Sequence, residues 1–183
     1  VVVLNSPNNP TGSALPDGAV ERILAATDAL IVCDEAYQDF GGPSAIPLLA
    51  GEPRVVVLRT FSKALGMAGL RFGVALAHPA LAREITKAKL PYNVNAVTLA
   101  AADVALDHLE LRTQQVRAIV ETRDRTARRL AALPGLTVYP GHANFLLLRF
   151  RSVPARRVFD RLRRHCSIGI VEQRLAGTRI EVA

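Results

Sequence analysis

The residues of this chain that could do chemistry fall where predicted strands end. Asp34 directly follows an apolar run at residues 31–33, and Lys63 follows a second run at 55–58. Because the carboxyl ends of the strands in an open α/β sheet line the crevice where ligands bind, we expect the side chains near these ends to share one site. The set at strand ends and in the adjoining loops is Asn9, Asp34, Tyr37, Lys63 and Arg71.

The residue types in this set suit one kind of cofactor. A carboxylate half buried at a sheet edge, as expected for Asp34, needs a cationic partner. Lys63 lies in a loop rich in small residues, where a lysine can serve as an amine nucleophile. Arg71, together with the hydroxyls of Thr60 and Ser62, could hold an anion. An amine for a Schiff base, a carboxylate for a pyridinium nitrogen and a phosphate site together indicate pyridoxal phosphate.

The apolar pattern predicts the sheet that carries these residues. Runs rich in β-branched residues at 1–4, 29–33, 55–58 and 72–76 predict four buried strands, and residues 16–26 predict a helix. Strands that are apolar throughout and alternate with helices indicate a sheet covered on both faces. We therefore expect an α/β fold, with a three-layer α/β/α portion around a mainly parallel sheet.

The pattern changes in the second half of the chain. Helices are predicted at 79–90 and, with no Pro or Gly to interrupt them, at 96–133, separated by a break at 91–95. Strands at 136–139, 145–150 and 179–182 and a helix at 153–165 follow. We expect residues 1–105 to form part of a large domain and residues 106–183 a smaller α+β domain, reached by a long bridging helix.

Composition excludes several other classes of protein. Half of the 183 residues are hydrophobic, which excludes a disordered chain, and two cysteines cannot hold together a disulfide scaffold. No apolar run is long enough to span a bilayer. The net charge of +7 comes largely from arginines on predicted helices, with few aromatics between them, so we expect solvated helix faces and no nucleic-acid or membrane partner. His, Cys and carboxylates show no metal-ligand spacing, so we expect no metal.

Three motifs in order resemble one enzyme family. They are Asn-Asn-Pro-Thr-Gly at 8–12, Asp-Glu-Ala-Tyr at 34–37 and Ser-Lys-Ala-Leu-Gly-Met-Ala-Gly-Leu-Arg at 62–71. The set is similar to that of the fold-type I pyridoxal-phosphate aminotransferases of class I/II. Within that family the chain most resembles the histidinol-phosphate aminotransferase group, and the segments at 91–95, 144–145 and 178–180 add to this resemblance. The resemblance implies pyridoxal 5'-phosphate as cofactor and a PLP-transferase fold whose N-terminal part is absent from this chain.

The resemblance also implies roles for single residues. Lys63 would carry the cofactor as a Schiff base and move a proton on the substrate, Asp34 would pair with the pyridine nitrogen, and Tyr37 would hydrogen-bond the ring oxygen. These three would be the catalytic residues. The implied cofactor-binding residues are Asn9, Asp34, Tyr37, Thr60, Ser62, Lys63 and Arg71. The implied substrate-binding residues are Arg179, for the α-carboxylate, and Asn144.

The implied reaction belongs to amino-acid biosynthesis. It moves an amino group between an amino acid, or an amino-alcohol phosphate of the histidinol-phosphate type, and a 2-oxo acid such as 2-oxoglutarate. One departure leaves the donor open: Glu172 follows the strand at 169–171 where the group usually has an arginine for the substrate phosphate, although Arg174 could substitute. A decarboxylase or lyase using the same cofactor therefore stays possible, as does an inactive relative acting only as an interaction module.

The expected partners are small molecules and a second copy of the chain. In the family that the chain resembles, the active site lies between two subunits. The segment at 91–95 is apolar and Asn-rich, and interface cores are likewise depleted of charge. We therefore expect a homodimer in the cytoplasm.

Overall fold

The first sheet contains all four strands predicted for the first half of the chain. The computed structural model describes residues 1–165, 171–175 and 178–182. Strands β1 and β2 are parallel, as are β2 and β3, whereas β4 runs antiparallel to β3. The expected α/β organisation with a mainly parallel sheet is therefore confirmed. The strands follow the order β1 (Val2–Asn5), β2 (Ile31–Asp34), β3 (Val55–Thr60) and β4 (Gly73–Ala77).

The register of the parallel strands aligns their carboxyl ends. Asn5 is paired with Asp34, and Asp34 with Leu58. Since successive side chains of a strand point to opposite faces, Leu4 and Cys33 face one side of the sheet while Asn5 and Asp34 face the other. Strands β1 and β2 therefore end with polar side chains on one face and apolar side chains on the opposite face.

Helix α1 (Ala19–Ala26) covers the apolar face. The core beneath it contains Leu24 from the helix and the fully buried Ile31, Val55 and Val57 from the sheet. Burying a side chain of this size contributes about 1.5–3 kcal/mol, so this layer is a main source of stability. The helix begins later than residues 16–17, where the sequence predicts it, because Gly18 adopts a left-handed conformation with φ 71°.

The prediction of one uninterrupted helix over residues 96–133 is wrong. The segment forms two helices, α3 (Ala96–Asp107) and α4 (Leu109–Ala131), divided at His108, whose φ of −123° and ψ of 41° are not helical. The interruption redirects α4 onto the turn at 38–40 and onto the second sheet. The expected break at 91–95 is confirmed: α2 (Pro79–Lys87) ends before it, and the Asn95 side chain caps α3 by accepting from the Thr98 amide at 2.8 Å.

The second half of the chain forms a separate antiparallel sheet beside α4. Its strand order is β5-β6-β8-β7, and helix α5 contacts β7 and β8. Residues 169–170 of the strand expected at 169–171 lie outside the described residues, and the domain boundary near residue 105 stays a prediction. The elements are β5 (Leu136–Tyr139), β6 (Leu147–Phe150), α5 (Ala155–His165), β7 (Val171–Leu175) and β8 (Thr178–Val182).

Candidate active site

A carboxylate held by two hydrogen bonds lies at the carboxyl edge of the first sheet. The Asn5 side-chain amide donates to Asp34 Oδ2 at 2.7 Å, and the Ala36 backbone N–H donates to Asp34 Oδ1 at 3.1 Å. Both oxygens are thereby fixed in direction, yet each carboxylate oxygen has a second lone pair. Asp34 can therefore still accept a hydrogen bond from a ligand.

The loop after β1 turns back onto the same carboxylate. Asn5 Oδ1 accepts from the Asn9 backbone N–H at 2.9 Å and from Asn8 Nδ2 at 3.1 Å. The Asn9 side-chain amide then donates to the Tyr37 hydroxyl at 3.0 Å. Asn9, Asp34 and Tyr37 are thus brought together, as the sequence predicts, through Asn5.

The Lys63 amine lies beside the Tyr37 ring. Its Nζ is 5.2 Å from the ring centroid, and the Lys63 side chain is exposed. Tyr37 is 7% exposed, and Phe145 packs against it edge to face with the ring centroids 5.3 Å apart. A primary amine and a rigidly held phenol therefore share the sheet edge with the Asp34 carboxylate.

The predicted anion-binding residues lie around the end of β3. The Thr60 hydroxyl accepts from the Ser62 N–H at 3.1 Å and donates to the Phe72 carbonyl at 3.4 Å. Phe72 follows Arg71, so this bond places the Arg71 backbone beside the hydroxyls. Arg71 is left-handed at φ 52°, and its exposed guanidinium donates to the Ala68 carbonyl at 3.0 Å. The structure therefore brings the loops together, while the guanidinium is directed to its own turn.

The two predicted substrate-binding residues lie on the second half of the chain. Asn144 is exposed and precedes Phe145, so the Phe145–Tyr37 contact brings it to the border of the site. Arg179 lies in β8, opposite Arg174 in the register of β7 and β8. The structure therefore places Asn144 next to the cofactor-binding group and the backbone of Arg179 in the second sheet.

A glycine permits the two halves to meet near the site. Gly12 has φ 71°, and a Cβ added to it would lie 3.1 Å from Gly141 Cα. The His142 N–H donates to the Gly12 carbonyl at 2.7 Å. The positive φ and this tight contact both favour glycine where the loop after β1 approaches the loop before β6.

Three residues near the site are missed by the sequence argument. Asn5 holds Asp34, and the 3%-exposed carboxylate of Glu35 pairs with the Arg59 guanidinium at 2.8 Å. A signal existed for Glu35, because a second carboxylate after a buried strand also needs a partner. In the sequence Asn5 is an ordinary turn residue after a strand, and no local pattern marks it as a partner of Asp34.

The family follows from a comparison of the whole chain. The model of the family "Aminotransferase class I and II" matches residues 1–181. The chain belongs to this aminotransferase family. The resemblance inferred from the three motifs is therefore confirmed.

Individual aminotransferases and related structures agree with the assignment. The chain is 47% identical over 163 residues to histidinol-phosphate aminotransferase 1 of Burkholderia lata, covering 88% of this chain and 45% of the relative. The structure of histidinol-phosphate aminotransferase from Sinorhizobium meliloti in complex with pyridoxal-5'-phosphate matches with 31% identity and a TM-score of 0.85, covering 100% of this chain and 52% of that chain. L-threonine-O-3-phosphate decarboxylase from Porphyromonas gingivalis matches with 26% identity and a TM-score of 0.85, covering 98% and 57%.

These matches define what the chain is. It has part of the PLP-transferase fold, as expected, and spans about half the length of the aminotransferases that it resembles. Across residues 1–165, 171–175 and 178–182, no group of three His, Cys, Asp or Glu side chains could hold a metal ion. None of the helices within those ranges is long and apolar enough to cross a membrane.

The face of the aminotransferase sheet opposite Asp34 contains an unreactive thiol. Cys33 is 4% exposed, and burial, followed by the negative charge of Glu35, raises its pKa to about 11. At pH 8 about one molecule in a thousand then carries the thiolate, the form that reacts with alkylating reagents.

We expect iodoacetamide at pH 8 to alkylate Cys33 at least about 100-fold more slowly in the folded protein than in denaturant, because unfolding exposes the thiol and removes both causes of the raised pKa. Peptide mapping by mass spectrometry gives the rate at Cys33 alone. Similar rates in the folded and unfolded protein would show that the thiol is neither buried nor hard to ionise.

Proposed function

We propose that the natural-length protein is a pyridoxal-phosphate-dependent aminotransferase. It would move an amino group between an amino acid or amino-alcohol phosphate and a 2-oxo acid. The observation that carries the proposal is the grouping of the Asp34 carboxylate, the Tyr37 phenol and the Lys63 amine at one edge of the sheet. Family membership supports the same activity.

The residues at the sheet edge offer one suitable partner for each reactive part of this cofactor: the ring nitrogen, the aldehyde, the ring oxygen and the phosphate. Asp34 retains a free lone pair on each oxygen, which suits an acceptor for a ring N–H. Lys63 offers an exposed primary amine, and Tyr37 a hydroxyl already polarised by the Asn9 amide. The hydroxyls of Thr60 and Ser62 lie beside the backbone of Arg71, so a rotation of the exposed Arg71 side chain could add a guanidinium to a phosphate site.

When bound, pyridoxal phosphate supplies a sink for the electron pair left on the substrate α-carbon when a bond to that carbon breaks. Asp34 would hold a proton on the ring nitrogen, which keeps that nitrogen positive. Lys63 Nζ would hold the cofactor covalently in the resting protein and, once released, would carry a proton between the substrate α-carbon and carbon C4′ of the cofactor. Tyr37 and Asn9 would orient the ring through its oxygen.

The proposed substrate site lies where the second half of the chain meets the first, at the contact between Phe145 and Tyr37. Asn144, beside Phe145, would border the substrate, and Arg179 would bind its α-carboxylate with a bidentate fork. The relative from Burkholderia lata is named for histidinol phosphate, so we propose a donor that carries an anionic group. Glu172 would repel that group, whereas Arg174, paired with Arg179 in the strand register, would attract it.

The Lys63 role can be tested by trapping. Borohydride reduction of the natural-length protein with pyridoxal phosphate should attach the cofactor to Lys63 irreversibly, as peptide mass spectrometry would show. Lys63→Ala should abolish the label and lower transamination at least about 100-fold, because the covalent anchor and the proton-transfer group are lost together. Lys87→Ala is the matched control, since Lys87 is an exposed lysine paired with Glu84 on α2.

Two outcomes of that experiment reject the proposal. A label that persists in Lys63→Ala would place the anchor elsewhere. A natural-length protein that takes up no cofactor would instead support the alternative of an inactive relative that serves only as an interaction module.

A decarboxylase is the second candidate. Its support is the structural likeness to the decarboxylase from Porphyromonas gingivalis together with Glu172. The two reactions differ in their products and in their need for a 2-oxo acid. Carbon dioxide released from the amino donor without a 2-oxo acid would reject transamination, while formation of a new amino acid from 2-oxoglutarate would reject decarboxylation.

We also propose that the protein is a homodimer located in the cytoplasm, where cell fractionation should find it. An apolar face on α3 supports the dimer: Val97 is 74% and Val104 60% exposed, and both border a groove of about 540 Å³ with Leu65 and Met67. The loop that carries these last two residues also carries Lys63, so a second copy seated there would lie next to the site.

Light scattering of the natural-length protein should therefore give twice the mass of one chain. Val104→Glu should weaken the dimer, because burying a charge without a partner is costly. Thr113→Glu, at an exposed position on α4, should leave the mass unchanged. A monomer with full activity would show that one chain builds the whole site.

A further inference from the structure

A chain of alternating charges runs beneath the candidate active site. Glu35 Oε2 lies 2.8 Å from Arg59 Nη2, and Arg59 Nη1 lies 3.6 Å from Asp39 Oδ1. Asp39 Oδ1 in turn accepts from Arg112 Nη1 at 3.0 Å. Two carboxylates and two guanidiniums give zero net charge, so the group is electrically balanced. We call these four residues the ion chain.

The ion chain is largely withdrawn from water. The side chain of Glu35 is 3% exposed and that of Arg59 19%. Glu35 also accepts from the Ser44 hydroxyl at 2.8 Å and from the Ala45 N–H. The Nε atoms of Arg59 and Arg112 are buried, and no hydrogen-bond partner for them is present among the described residues. Each guanidinium is therefore held largely by its terminal nitrogens, and removing one charge would leave its partners buried and uncompensated.

Three members of the ion chain, Glu35, Asp39 and Arg59, are close in sequence to residues of the site. Glu35 follows Asp34, and Asp39 comes two residues after Tyr37 in the turn at 38–40. Arg59 directly precedes Thr60 and the loop to Lys63. The Arg59 side chain therefore joins the segment that holds Asp34 and Tyr37 to the segment that leads to Lys63.

Helix α4 reinforces this junction from the other side. Arg112 reaches Asp39 from the first turns of the helix, and Arg123 donates from its middle to the carbonyls of Phe40 at 3.3 Å and Ala143 at 2.9 Å. The turn at 38–40 is thus held at two consecutive residues, Asp39 and Phe40. Because Ala143 lies two residues before Phe145, the same helix also holds the ring that packs on Tyr37.

We propose that Arg59 is a positioning residue for the cofactor site. Within the described residues its hydrogen bond and ion pairs go to Ser44, Glu35 and Asp39, and through the two carboxylates it holds the segments that carry Tyr37 and Lys63 at a fixed separation. A guanidinium is required because its planar fork spans two carboxylates at once, which a lysine ammonium on a flexible stem does worse. The proposal rests on the proposed function, since the positioned groups are those assigned to the cofactor.

The test compares Arg59, inside β3, with Arg54, the residue that precedes this strand, in the natural-length protein. Arg59→Met removes the charge and keeps the length of the side chain, and Arg59→Lys keeps the charge without the fork. The matched control is Arg54→Met. Arg54 lies just before β3, at its far end, where it pairs with Glu52 at 3.0 Å and donates to the Thr27 carbonyl. Both Met variants remove an ion-paired arginine, so both should lower the melting temperature.

Two measurements separate positioning from general stability. Hydrogen exchange of the cofactor-free protein should speed up at least about tenfold within residues 36–42 and 60–64 in Arg59→Met, because the buried carboxylates lose their cation. Pyridoxal phosphate should also dissociate faster from Arg59→Met, as measured before borohydride trapping on Lys63. Arg59→Lys should fall between the wild type and Arg59→Met, and Arg54→Met should resemble the wild type in both measurements.

The outcomes are distinguishable from a failure of the proposed function. A wild-type protein that takes no label on Lys63 rejects the proposed function itself. A labelled wild type whose exchange and cofactor dissociation are unchanged in Arg59→Met, or changed equally in Arg54→Met, rejects only the positioning role.

Discussion

Two parallel strands end side by side at Asn5 and Asp34, and the hydrogen bond between their side chains is the contact on which the site depends. The bond is 2.7 Å long and joins residues that are paired in the strand register. Asn5 then organises the loop behind it, since its carbonyl oxygen accepts from Asn8 and Asn9. Asn9 reaches Tyr37 from that loop, so a single amide determines where the carboxylate and the phenol lie.

The contacts of Glu35, the residue after Asp34, hold the end of β2 in place from the other side of the sheet. Asp34 is the last residue of β2, and Glu35, the next residue, lies on the other side of the sheet beside Cys33. The first carboxylate is left with lone pairs for a ligand, and the second is fully engaged by Arg59, Ser44 and Ala45. Asp34 is therefore available to a ligand, whereas Glu35 stabilises the fold. Glu35 pairs with Arg59, which pairs with Asp39, and Asp39 accepts from Arg112 on α4.

The parts of the structure that could be predicted are those encoded by local patterns. The four apolar runs became β1 to β4 because a covered sheet requires strands that are apolar on both faces, and the residues of two motifs, Asn9 from one and Asp34 and Tyr37 from the other, lie together as expected. The interruption at His108 could not be read from sequence, because no Gly or Pro stands there and only the packing of α4 against the turn at 38–40 requires it. Asn5 and Arg59 were missed for the same reason: their partners lie 24 to 29 residues away in the chain. The motif predicted that Arg71 lies near the hydroxyls of Thr60 and Ser62, as its backbone does. It did not predict the direction of the guanidinium, because this depends on the left-handed conformation of Arg71.

The protonation of the cofactor ring reports whether Asn5 and the sheet edge present the Asp34 carboxylate to a pyridinium nitrogen. Nitrogen-15 magnetic resonance of ring-labelled pyridoxal phosphate, bound to the natural-length protein, reports that proton directly. We predict a protonated ring nitrogen in the wild type and an unprotonated one in Asp34→Asn, because an amide of the same shape carries no charge to stabilise the proton. The same nitrogen shift in both proteins would contradict it.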